Sequence, residues 1–143
     1  MKNKITGDIG ENEIVELVPC PNCNSKLTLL PPNFPLADVQ CTRCQFRAQV
    51  KTNNNKPADS IFGAGYDIYE KVFKAGYLLP PLFTNFKWKD KDGKERQQIR
   101  FYPLISKNNI KSYKLSENAR RANYKMFRYV GLNKQIHIIS YEK

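Results

Sequence analysis

The chain has 143 residues, a length typical of one domain, and its 41% hydrophobic and 12% aromatic content excludes wholesale disorder. No apolar run reaches the roughly 18 residues of a membrane-spanning helix, and the N-terminal stretch turns polar and acidic where a signal peptide would be apolar. We therefore expect a soluble cytoplasmic protein with no membrane partner.

The net charge of +11 is distributed unevenly. Residues 1–50 hold five basic and five acidic side chains, so the whole excess, nineteen basic against eight acidic side chains, lies in residues 51–143. Such a field attracts a polyanion, most commonly a nucleic acid. The alternative is a basic surface that serves solubility alone.

In chain order, the first predicted element is a helix over residues 6–17. Thr6 would be its N-cap, and the carboxylates of Asp8 and Glu11 would lie near the positive end of the helix dipole. Strands are predicted over 27–30, 36–40 and 46–51, and the spacing over 64–75 is typical of a helix.

Two knuckles follow the first helix. They consist of two C-x2-C pairs separated by seventeen residues, within the spacing of a four-thiolate zinc site. The ligands would be Cys20, Cys23, Cys41 and Cys44. Two disulfides are the alternative, which the lack of an export signal disfavours. The pattern predicts a structural Zn²⁺ ribbon over residues 18–48, which by itself says little about activity.

The second half contains a predicted hairpin, 80–89 and 96–105, around an Asp92-Gly93 turn, and a last short strand over 136–140. Between them, residues 107–134 are basic, with eight Lys or Arg against Glu117 alone. No linker divides the chain. We expect one α+β domain over residues 1–143 with the zinc ribbon embedded in it.

Three polar residues frame the second knuckle. Gln49 and Lys51 share a strand face, and pairing of the two ribbon strands would set Asp38 opposite residues 47–49. A carboxylate, an amide oxygen and a lysine on one face suit Mg²⁺-assisted hydrolysis of a phosphodiester. The spacing alone favours the alternative of three solvated side chains on a hairpin.

The segments CPNC, PLADVQCTRC and QVK resemble the catalytic core of PD-(D/E)XK nucleases, most closely that of DpnI-type restriction endonucleases. The resemblance implies a restriction-endonuclease-like core, a mixed central sheet flanked by helices. It also implies that Asp38, Gln49 and Lys51 are catalytic, that Asp38 and Gln49 bind Mg²⁺, and that Glu11 of GDIGE borders this site.

The segment LSENARRANY resembles the family's PL-(S/A)-x-x-ARRA-aromatic element, which implies that Arg120, Arg121 and Tyr124 face double-stranded DNA. Two nearby aromatic residues, Phe127 and Tyr129, could instead belong to the core. The family's winged-helix domain has no counterpart in these residues. Recognition of methyladenine would then depend on the single domain predicted for residues 1–143 or on self-association.

Three hypotheses follow. The first is a Mg²⁺-dependent restriction endonuclease, a phosphodiester hydrolase acting on double-stranded DNA, including methyladenine-containing sites. The second is a non-catalytic zinc-ribbon DNA-binding protein, because the family carries Glu or Asp where this chain has Gln49. The third is a zinc-ribbon RNA-binding or ribosome-associated protein. The order Asp, knuckle, Gln-x-Lys favours the first hypothesis. An endonuclease with one active site per chain cuts both DNA strands either as a homodimer or in two successive cuts.

Overall fold

A long N-terminal helix is followed by strands in the computed structural model, which describes residues 2–116 and 124–143. The elements are α1 (Lys2–Leu17), β1 (Leu27–Leu29), β2 (Val39–Cys41), β3 (Arg47–Asn53), β4 (Ile61–Gly65), α2 (Asp67–Lys74), β5 (Leu82–Lys89), β6 (Glu95–Tyr102), β7 (Ile110–Lys114), β8 (Lys125–Tyr129) and β9 (Ile138–Glu142). A short 3₁₀ turn over Lys107–Asn109 precedes β7.

Six strands form a mixed sheet in the order β1-β2-β3-β5-β6-β9. β3 and β5 are parallel, with Gln49 beside Leu82, and the other neighbouring pairs of this sheet are antiparallel. Helix α1 packs on one face through Ile14, which is buried together with Val18, the first residue after the helix, and with apolar residues of β3, β5 and β6. Burial of each such side chain stabilises the fold by about 1.5–3 kcal/mol.

The opposite face of the sheet is covered by helix α2 and by a second, three-stranded sheet in the order β4-β8-β7. Leu82 and Phe86 lie on this face of β5 and are buried with Phe127 and Tyr129 of β8. Both aromatic residues therefore belong to a core, and β8 is the central strand of its sheet. Two apolar layers thus enclose the main sheet.

The expected fold class is confirmed: the chain has a restriction-endonuclease-like α+β fold with a mixed central sheet. The predicted hairpin is also present, with β5 and β6 antiparallel throughout. Neither described helix combines the length and apolar character that crossing a membrane requires.

Two predicted boundaries were wrong, and strands β4, β7 and β8 were not predicted. Helix α1 begins at Lys2 rather than at Thr6. The helix predicted over 64–75 begins only at Asp67, because the preceding residues pair with β8 as strand β4. Gly63 makes this pairing close, since a side chain there would overlap the ring of Phe127. The basic segment contains two strands, β7 and β8, that its charged composition concealed.

Candidate functional site

Four cysteine sulfurs meet where α1 ends beside strands β1 to β3. All four Sγ atoms lie within 4.8 Å of one another. The Sγ atoms of Cys20 and Cys44 are 3.6 Å apart, and those of Cys23 and Cys41 are 3.4 Å apart. Sulfurs at the corners of a zinc tetrahedron would be about 3.8 Å apart, given a Zn–S distance of about 2.3 Å. The four cysteines are therefore positioned to bind a metal ion and could bind zinc.

The distances between the sulfurs and their hydrogen bonds fit metal binding better than disulfide bonds. A disulfide needs sulfurs about 2.05 Å apart, and all four cysteines are free. The backbone N–H groups of Asn22 and Arg43 each donate to a cysteine sulfur at 3.3 Å, which stabilises thiolate charge. Hydrogen bonds from Ser25 lower the pKa of Cys23 to about 6, whereas burial raises the pKa of Cys20 to about 11.

The ribbon hairpin fixes the position of Asp38. The register of β2 against β3 pairs Val39 with Ala48, so Asp38 lies beside Gln49, as the sequence predicts. The backbone N–H of Asp38 donates to the carbonyl oxygen of Ala48 at 2.9 Å. The Oδ2 atom of Asp38 accepts a hydrogen bond of 2.8 Å from the backbone N–H of Val50. This contact holds the carboxylate by Oδ2, and Oδ1 has no hydrogen-bond partner among the described residues.

Gln49 and Lys51 lie on the same face of β3, the face that is turned away from helix α1. Gln49 is only 9% exposed. Burial lowers the pKa of Lys51, and the negative charges of Asp38 and Glu11 counteract part of this effect. The three salt bridges between described residues use other lysines, so no carboxylate within 4 Å neutralises Lys51.

Helix α1 brings a second carboxylate, Glu11, to this place. Burial and, to a smaller extent, the charges of Asp38 and Asp8 raise the pKa of Glu11 to about 7, against the opposing effect of Lys51. Burial likewise raises the pKa of Asp38, although the Val50 N–H and Lys51 lower it in part. The four predicted site residues therefore lie near one another: Asp38, Gln49, Lys51 and Glu11. The positive charge of Lys51 alone does not offset the two carboxylates, whose pKa values are both raised.

The predicted DNA-facing residues are only partly described. Arg120 and Arg121 lie outside the described residues. Tyr124 lies against β4, where a side chain at Gly65 would overlap its hydroxyl group. The outer face of the small sheet carries further candidates, since Arg128 lies 4.2 Å from the ring centroid of Phe62, which is 61% exposed, and pairs in register with Lys111.

Sequence reasoning missed a buried tyrosine pair on the second layer. The hydroxyl groups of Tyr69, on α2, and Tyr129, on β8, are 3.0 Å apart in the core. Burial raises the pKa of Tyr69 to about 12, and the charge of Asp38 contributes to the pKa of both tyrosines. Sixty residues separate the two in sequence, so no local pattern could have paired them.

A fully buried hydroxyl adjoins the lysine. Thr84 of β5 pairs in register with Lys51 of β3, and its Oγ1 has no hydrogen-bond partner among the described residues. The sequence signal for Thr84 is weak, because threonine is common in strands.

The comparison with known families agrees with this geometry. The profile of DpnI, the Dam-replacing family, matches residues 2–135, nearly the whole chain. Among curated proteins, none matches. The family match spans the cysteine cluster and the four neighbouring polar residues, and it implies a DNA substrate. The chain therefore belongs to the Dam-replacing family, and this membership points to an enzyme of the restriction endonuclease type, related to the cleavage of methylated DNA.

Proposed function

We propose that the protein is a Mg²⁺-dependent endonuclease that hydrolyses phosphodiester bonds in double-stranded DNA. The observation that carries the proposal is the convergence of Asp38, Gln49 and Lys51 on one face of the ribbon hairpin, beside Glu11. Nucleases need two things at the scissile phosphate, a cation held by oxygen ligands and a positive group near the developing charge. This face has residues for both.

The donor set fits a hard divalent cation. Asp38 and Glu11 supply carboxylates and Gln49 supplies an amide oxygen, the ligand types that Mg²⁺ accepts beside its own waters. The raised pKa of Glu11, to about 7, reflects its burial first and then its repulsion by the carboxylate of Asp38. A cation there would remove this repulsion. When bound, Mg²⁺ supplies Lewis acidity and a more acidic water.

Lys51 has the second role. Its ammonium group lies beside Asp38 and Glu11 without a salt bridge among the described residues, so it can turn toward a phosphate oxygen. It would stabilise the negative charge that develops during hydrolysis and help to orient the attacking water. Its removal should therefore affect the chemical step more than DNA binding.

The basic half of the chain supplies affinity for DNA. The small sheet carries Lys111 and Arg128 on its outer face, and Arg120 and Arg121 belong to the same basic segment. Lysines mostly neutralise phosphates, whereas arginines can also read base edges. Family membership makes DNA with methylated adenine the first substrate to test.

The deciding experiment uses two plasmids that differ only in adenine methylation. Zinc-loaded protein is incubated with each plasmid, with and without added Mg²⁺, beside Lys51→Ala and the control Lys91→Ala in the exposed β5–β6 turn. We expect discrete Mg²⁺-dependent fragments that Lys51→Ala loses and the control keeps. Unchanged cleavage by Lys51→Ala would contradict the proposed site.

One observation favours a second function. Gln49 provides a neutral amide where a carboxylate would bind a cation more strongly, which suits a DNA-binding protein that has lost its chemistry. That reading predicts tight, salt-sensitive binding of both plasmids and no cleavage at any Mg²⁺ concentration.

A further inference from the structure

A partly buried polar network ties helix α1 to strands β5 and β6. The carboxylate of Glu13 accepts hydrogen bonds from Lys87 Nζ at 2.8 Å, Asn85 Nδ2 at 3.3 Å and Gln97 Nε2 at 3.2 Å. Asn85 is fully buried and Gln97 is 4% exposed. Gln97 Nε2 also donates to Asn85 Oδ1 at 2.9 Å. Glu13 and Lys87 are partly exposed, and their hydrogen bonds to the two buried amides hold the helix against the sheet.

The same helix meets the sheet a second time at Gly10. A Cβ atom on Gly10 would lie 2.7 Å from Thr52 Cβ and 2.8 Å from Thr52 Cγ2, closer than real Cβ atoms approach. The carbonyl oxygen of Gly10 also accepts a hydrogen bond of 3.4 Å from Asn85 Nδ2. Only glycine allows the helix backbone to lie this close to β3.

The Gly10–Thr52 contact and the Glu13 network lie on either side of Glu11 along helix α1. Residues advance by roughly 100° around a helix, so Gly10 and Glu13 face the sheet together while Glu11 points to one side. Because Gly10 lies against Thr52, the next residue of α1 is brought level with Lys51, the preceding residue of β3. The charges that act on Glu11 are those of Asp38, Asp8 and Lys51, and Glu13 is not among them.

We propose that Gly10 and Glu13, with Asn85 and Gln97, are positioning residues that hold the Glu11 carboxylate at the cation site. This inference rests on the proposed function. The carboxylate of Glu13 is engaged by its hydrogen bonds to strands β5 and β6. It fixes the rotation of α1, and Gly10 fixes the distance of α1 from β3, so a small shift of the helix moves Glu11 away from Asp38. Comparable outer contacts change metal affinity by about 10- to 100-fold.

The first test measures Ca²⁺ binding by calorimetry, without DNA, on zinc-loaded protein. Gly10→Ala should weaken Ca²⁺ affinity by about 10-fold because α1 must move away from Thr52. Gly7→Ala is the matched control on the same helix, since a Cβ there has no atom within 4 Å. Both substitutions favour the helix equally, so their difference isolates the contact.

The second variant tests the hydrogen-bond network of Glu13. Glu13→Gln keeps the shape of the side chain but replaces one carboxylate oxygen with an amide NH₂, which sets a donor against at least one of the three donors that Glu13 accepts from. We expect a loss of Ca²⁺ affinity of about 10-fold. The control Glu16→Gln makes the same charge change at an exposed position of α1. For both test variants the cleavage rate with saturating DNA should fall while the Kd for DNA stays unchanged.

Rescue separates positioning from a general loss of structure. Thr52→Gly removes the atoms that a side chain on Gly10 would meet, so Gly10→Ala with Thr52→Gly should bind Ca²⁺ as Thr52→Gly alone does. A folded Gly10→Ala protein with unchanged Ca²⁺ affinity would overturn the inference. If Glu11→Gln also left Ca²⁺ affinity unchanged, the proposed cation site itself would be wrong.

Discussion

The raised pKa of Glu11 predicts that the cation-free protein becomes less stable as the pH rises. The folded state holds a proton on Glu11 up to a pH of about 7, whereas the unfolded chain releases it near 4.5. Between these values the folded state binds more protons, so its free energy of unfolding falls with rising pH and the full cost is present above pH 7. Glu11→Gln removes this cost because the amide is neutral.

The size of the effect follows from the shift. A pKa change from 4.5 to about 7 corresponds to about 3 kcal/mol for a group removed from water. Glu11 is only partly buried, so solvent screening reduces the expected gain to on the order of 1 kcal/mol. We therefore expect Glu11→Gln to be about 1 kcal/mol more stable than the wild type at pH 8 and nearly equal to it at pH 4.5.

Urea unfolding of zinc-loaded protein without Mg²⁺ measures this difference at the two pH values. Glu16→Gln, at an exposed position of the same helix, is the control and should show no such pH-dependent gain. Adding Mg²⁺ at pH 8 should stabilise the wild type more than Glu11→Gln, because the cation neutralises the repulsion between Glu11 and Asp38. An equal difference at pH 4.5 and pH 8 would refute the reasoning.

Three other predictions concern the cysteine cluster, the tyrosine pair and the amide at the site. Cys41→Ser should release zinc and lower the Tm sharply, measured by metal analysis and thermal unfolding, and a zinc-loaded variant with an unchanged Tm would contradict the structural role of the cluster. Tyr69→Phe and Tyr129→Phe should each cost about 1–3 kcal/mol, since each leaves one buried hydroxyl unpaired, and in urea unfolding the double variant should cost less than their sum. Gln49→Glu should lower the Mg²⁺ concentration that gives half-maximal cleavage, and complete loss of cleavage in that variant would count against Gln49 as a ligand.

The features that the sequence predicted are those encoded over short distances. The hairpin of β5 and β6 is visible because Asp92-Gly93 supplies its turn, with Gly93 at a φ of +77°. The cysteine cluster and the position of Asp38 beside Gln49 follow from spacing within one ribbon. Local patterns and fixed spacings carried these predictions without any knowledge of distant contacts.

The features that it did not predict depend on distant partners. Strand β4 was not predicted, and its last two residues were assigned to a helix, because its partner β8 lies more than sixty residues away. In β8, Lys125 and Arg128 hide the alternation of polar and apolar residues that is typical of a strand. The Glu13 network joins residues more than seventy positions apart. In both cases the tertiary partner, rather than the local propensity, decides the structure.

The β2–β3 register also explains what the cysteine cluster contributes beyond stability. Side chains alternate along a strand, so slipping β3 by a single residue would turn Lys51 toward helix α1 and replace Gln49 with an apolar neighbour. The knuckle between Cys41 and Cys44 closes this hairpin, and binding of its thiolates to one ion would leave the two strands only one alignment. Loss of zinc would therefore abolish cleavage by misaligning Asp38 and Lys51, even in a chain that still retained its helices and strands.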